Sequence, residues 1–74
     1  MPLEVKHERL GTAELLIADL SDSGVFVKAT PEQCPPVGDE VTIRVLTTLG
    51  GEEPSALAAR VVRVTAEGMG LEYL

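Results

Sequence analysis

The stretch Asp19-Leu20-Ser21-Asp22-Ser23-Gly24-Val25-Phe26-Val27 sets a polar turn between two apolar runs, and the rest of the chain is read outward from it. TAELLIADL (12–20) leads into the turn and GVFVKAT (24–30) leads out of it. Asp and Ser side chains hydrogen-bond nearby backbone, and Gly24 is free to take positive φ, so the fragment reads as a hairpin connection. Upstream, LEVKHERL (3–10) reads as an opening strand. Downstream, a period of two is clearest in DEVTIRVLTTL (39–49). There Val41, Ile43, Val45 and Leu49 share one face, and Thr42, Arg44 and Thr48 the other. SALAARVVRVT (55–65) is a further run, β-branched toward its end. Arg60 and Arg63 are expected to point outward from it, one on each side of the pleat. Its opening, SALAA, has helix propensity, but RVVRV does not, so the whole run reads as strand. GMGLEYL (68–74) puts Leu71 and Tyr73 on one face.

Turn-forming residues separate these runs. TPEQCPPVG (30–38) carries three prolines and must be a loop. LGGEEP (49–54) holds a Gly-Gly hairpin signal and an acidic tip, and AEGMG (66–70) is another tight turn. Five to six short strands joined in this way predict an all-β fold, a small antiparallel sheet curling into a barrel. With 74 residues the chain is a single domain, residues 1–74, since a second could not close its own core.

Composition narrows the function. Apolar residues make up 45% of the chain, yet Phe26 and Tyr73 are its only Phe, Tyr or Trp, so the core is aliphatic. Cys34 is the single cysteine and His7 the single histidine, which leaves neither an internal disulfide nor a Cys/His metal cluster. A net charge of −6 argues against nucleic acid and against an anionic membrane surface. No apolar run approaches membrane-spanning length, and MPLEVKHERL does not read as a signal peptide. A cytoplasmic, reducing setting is expected.

Several motifs then fall into one order. Asp19, Ser21 and Gly24 complete D-x-S-x-x-G between two strands. Gly24-Val25-Phe26-Val27 follows, then Pro35-Pro36-Val37-Gly38 before a long strand, then Val61-Val62-Arg63-Val64. Gly68-Met69-Gly70-Leu71-Glu72-Tyr73 closes the chain. From about Thr12 to Leu74 this arrangement resembles the PilZ domain family. The resemblance implies a six-stranded antiparallel β-barrel and a place in bacterial cyclic di-GMP signalling. It also implies that Asp19 and Ser21 can meet a guanine edge of that nucleotide. In the family an N-terminal R-x-x-x-R motif adds two guanidinium groups that stack on guanine and pair with phosphate. R-x-x-x-R is absent from this sequence. Lys6 and Arg9 are the basic residues before the turn, at the wrong spacing and where the family has its first strand. The chain is expected to start after the motif's place. Members without the arginines resemble adaptors, so the expectation is a non-enzymatic protein-interaction module with weak or no nucleotide binding. The alternative is a genuine cyclic di-GMP receptor. In it Asp19, Ser21 and Gly24 act with Arg9, Arg60 and Arg63, or with arginines of a neighbouring chain.

Other candidates have blander readings. His7 is expected to be an exposed strand histidine. Asp19 and Asp22 read as turn carboxylates rather than as an acid–base pair or metal ligands. Ser21 and Ser23 lack a G-x-S-x-G context. Cys34 has no basic neighbour to depress its pKa. No helix follows Gly68 and Gly70 to receive an anion. No catalytic residue, cofactor or metal is expected. The first strand, apolar only at Leu3, Val5 and Leu10, is the expected weak edge. A homodimer or hetero-complex would form by pairing at that edge or through an apolar face around Val25 and Phe26.

Overall fold

The computed structural model describes residues 2–45 and 56–74. The Gly-Gly turn expected at 49–54, the end of the alternating run at 46–49, and Ser55 lie outside the described residues. Six strands account for most of the rest: β1 (Pro2–His7), β2 (Gly11–Leu20), β3 (Gly24–Lys28), β4 (Glu40–Val45), β5 (Leu57–Val64) and β6 (Gly68–Tyr73). The helical element among the described residues is one 3₁₀ turn, Pro31–Gln33, in the proline-rich loop. Pro31 suits its first position, where the missing N–H would have had no partner. The described part of the SALAA stretch runs into β5, whose β-branched Val61, Val62 and Val64 favour a pleated sheet.

All pairings are antiparallel, and the order β1-β2-β3-β6-β5-β4 closes into a barrel when β4 meets β1. The two-residue period becomes inside and outside. In register, Leu3 sits between Leu15 and Val45, and Val27 sits between Ile17 and Met69. Val27, Val61 and Met69 are fully buried. Burying a side chain of this kind contributes about 1.5–3 kcal/mol. Pro35 is buried as well and lies with Val5 and His7 around a cavity of 260 Å³.

Closure overturns the expected weak edge. β1 pairs with β2 over Pro2–His7 and with β4 over Leu3–Lys6, so it has no free side. A closed barrel removes edges altogether. Val25 does not contribute to an outer apolar face either, because it is only 5% exposed and belongs to the core. Of that pair, Phe26 alone points outward.

Candidate binding groove

β2 and β5 each carry one extra residue. The β2–β3 pairing runs Ile17 with Val27, skips Ala18, and resumes with Asp19 opposite Phe26. The β5–β6 pairing runs Val61 with Leu71, skips Val62, and resumes with Arg63 opposite Gly70. A bulge reverses the in–out parity of everything beyond it. Ile17 packs on the core and Val61 is fully buried, so strict alternation would send Asp19 and Arg63 inward. The bulges turn both charges out to water, where they keep their hydration. They also correct the expectation that Arg60 and Arg63 lie on opposite sides. Arg60 stands opposite Glu72 and Arg63 opposite Gly70, two residues apart on β6, so both face outward.

The two re-aimed residues end in one row. Asp19, Phe26, Gly70 and Arg63 stand in register across β2, β3, β6 and β5 on the outer face. Gly70 offers no side chain, and the Arg63 guanidinium reaches over the Phe26 ring, 5.4 Å from Cζ to the centroid. A groove of 390 Å³ runs from this row to the 21–24 turn, lined also by Val62 and Glu72. An adjoining depression of 580 Å³ shares Asp19, Phe26 and Arg63 and extends to Glu67. Charged contacts among the described residues centre on Asp39, which pairs with Arg9 and is hydrogen-bonded to His7. Asp19, Glu67 and Glu72 have no cation in contact among those residues. The Asp19 carboxylate accepts a hydrogen bond from the Leu20 N–H at 3.0 Å.

The turn at the groove's end is closed by Ser21. Its backbone N–H donates to the Gly24 carbonyl at 2.9 Å, and its hydroxyl donates to the same oxygen at 3.2 Å. The Ser23 carbonyl accepts from the Tyr73 N–H at 3.0 Å, tying the turn to β6. Gly24 is not there for positive φ, which among the described residues occurs at Gly11 and Gly38. A Cβ on Gly24 would overlap the Leu71 carbonyl oxygen, so close approach of β6 selects the glycine.

The structure thus brings Asp19, Ser21, Gly24 and Arg63 to one groove. Arg60 stands one row along, between Glu40 and Glu72. Arg9 is elsewhere, in the β1–β2 turn at the opposite end of β2 from Asp19, where it donates to Asp39 at 3.2 Å. His7 is not exposed, as expected, but buried at 7%. Its place on β1 after Leu3 and Val5 points it inward, and its polar atoms are satisfied there. The N–H groups of Arg9 and Leu10 donate to Nδ1, each at 3.1 Å. That puts the ring proton on Nε2, which donates to Asp39 at 2.9 Å. The His7 hydrogen bond first, and Arg9 after it, hold the Asp39 carboxyl below its ordinary range. Partial burial pushes the Cys34 thiol up, away from nucleophilic use, and it donates weakly to the Thr30 carbonyl. Among the described residues no three His, Cys, Asp or Glu side chains are grouped to hold a metal ion. The sequence reading missed Val62, Gly70 and Glu72 as groove residues, and Phe26 as the partner of Arg63.

The closed six-stranded barrel and the D-x-S-x-x-G turn at the rim of its groove agree with a match of the family model described as PilZ domain, over residues 2–74. The chain belongs to the PilZ domain family. That places it in a family of cyclic di-GMP signalling. A comparison with curated proteins found no match. In this PilZ domain the Ser21 hydroxyl is committed to its own turn, the Asp19 carboxylate accepts one local N–H, and among the described residues the groove beside them has one stacked arginine for its cation. None of the helices in the described residues is long and apolar enough to cross a membrane.

Proposed function

We propose that this PilZ domain is a non-enzymatic adaptor of cyclic di-GMP signalling, cytoplasmic, that docks on a protein partner and binds the nucleotide weakly or not at all. The charge of the groove carries this reading. A cyclic dinucleotide is a dianion. Among the described residues lining the groove and its neighbour, Arg63 faces Asp19, Glu67 and Glu72. The 74 residues contain no R-x-x-x-R to offset those carboxylates. Arg9 is tied to Asp39 away from the groove, and Arg60 lies between two glutamates.

A receptor role is the second reading, favoured by the complete Asp19, Ser21 and Gly24 signature and by Arg63 beside it. Calorimetric titration of the chain with cyclic di-GMP separates the two. The adaptor reading expects no heat at high micromolar nucleotide. A micromolar signal that disappears in both Ser21→Ala and Arg63→Ala, with the far-UV circular dichroism unchanged, would establish the receptor instead.

A further inference from the structure

We infer that the groove over Phe26 receives a cationic, partly apolar segment of a partner protein, an Arg or Lys side chain next to an aliphatic one. This deepens the docking reading above and rests on it. The floor is apolar: Phe26 is half-buried, Val62 is 46% exposed, and Gly70 leaves the space between them open. Three carboxylates, Asp19, Glu67 and Glu72, and one cation, Arg63, line this floor, a net charge of −2 in the lining, with Arg60 standing just beyond it opposite Glu72. The Arg63 guanidinium is already engaged over the Phe26 face, whereas the carboxylates of Glu67 and Glu72 have no partner among the described residues. A guanidinium or ammonium entering the groove would pair with them, and its stem would cover Val62 and Phe26.

The outer face on the other side of the barrel lacks this combination. There Lys6 and Arg44 stand among Glu4, Glu8 and Glu40, with Glu4 directly opposite Arg44, so the lining is nearer balance, and no aromatic side chain lies among them. A second copy of this chain fits the groove poorly, because it too carries −6 and would set like charge against like. The occupant is therefore a foreign, basic segment.

The test uses the ¹⁵N-labelled full chain and three probes: capped peptides Gly-Arg-Leu-Arg-Gly and Gly-Glu-Leu-Glu-Gly, and cyclic di-GMP. The basic peptide should shift the amides of Asp19, Phe26, Arg63 and Gly70 saturably. Its affinity should fall about threefold to tenfold in Asp19→Asn/Glu72→Gln, and again in about 0.5 M salt. Shifts spread evenly over Glu4, Glu14 and Glu40, or binding of the acidic peptide to the groove, would overturn the charge assignment and leave docking itself standing. Cyclic di-GMP moving the same groove amides at micromolar concentration would overturn the docking reading beneath it.

Discussion

Arg63 lies over the ring of Phe26, reaching across Gly70, the residue between them in register. The pair is on the outer face, so its attraction is that of a partly solvated cation and ring. Arg63→Ala should lower stability by only ~0.5–1 kcal/mol. Urea unfolding followed by far-UV circular dichroism measures this. An unchanged midpoint would mean that the stack contributes nothing to the fold and that the ring is fully available to a partner.

The glycines of the groove should respond to the same substitution in opposite directions. Gly24→Ala drives a Cβ into the Leu71 carbonyl, and neither backbone can yield without opening the β3–β6 pairing. A loss of ~3 kcal/mol or more is expected, at the upper end of overpacking. At Gly70 a Cβ would meet Arg63 Cβ at 3.6 Å and Phe26 Cδ2 at 3.8 Å, ordinary contact distances. Gly70→Ala should therefore be neutral or stabilise by ~0.5–1 kcal/mol, since glycine is the more disordered residue when unfolded. Thermal melts of the two variants side by side decide it. Equal losses would show that Gly24 is not selected by β6.

Much of the barrel was legible because alternation is a local property. Val41, Ile43 and Val45 could be assigned to one face without knowing what lies across from them. The groove was less legible, because both of its defining charges sit beyond a bulge, and a bulge leaves no residue signature of its own here. The one signal was a conflict. Carried strictly from Ala13, Leu15 and Ile17, the pleat would have buried Asp19; carried from Ala59 and Val61, it would have buried Arg63. A charge at an inward position is costly enough that an extra residue is the better solution. His7 shows the converse. Its inward parity after Leu3 and Val5 was correct, but its residue type suggested the surface. The partner that makes burial tolerable, Asp39, is 32 residues away and invisible to local pattern.

Burial of His7 implies a structural role that can be measured. His7→Leu keeps an apolar side chain in the barrel end but leaves the N–H groups of Arg9 and Leu10 without their acceptor. Unmet partially buried donors cost about 1–3 kcal/mol. The loss should appear in the urea midpoint, and hydrogen exchange at Arg9 and Leu10 should accelerate more than exchange at Val27. Uniform acceleration across the barrel would instead point to a packing effect alone.

The same cluster sets a pH dependence at the acid end. The Asp39 carboxyl is held below its ordinary value of 3.8, first by the hydrogen bond from His7 and then by Arg9. A group whose pKa is lower in the folded chain is protonated more readily when unfolded. Its contribution is therefore complete above the unfolded value and is lost as pH falls through the folded one. Asp39→Asn keeps a carbonyl oxygen for the His7 Nε2–H but cannot ionise. The wild type should exceed this variant in urea midpoint above about pH 5, and the gap should close as pH falls below about 4. A gap that persists unchanged to about pH 2 would mean that geometry, not charge, separates the two. The two partners of Asp39 should also separate by salt. The Arg9 side chain is 71% exposed, so added salt should screen its share, whereas the His7 side chain is only 6% exposed and its share should remain.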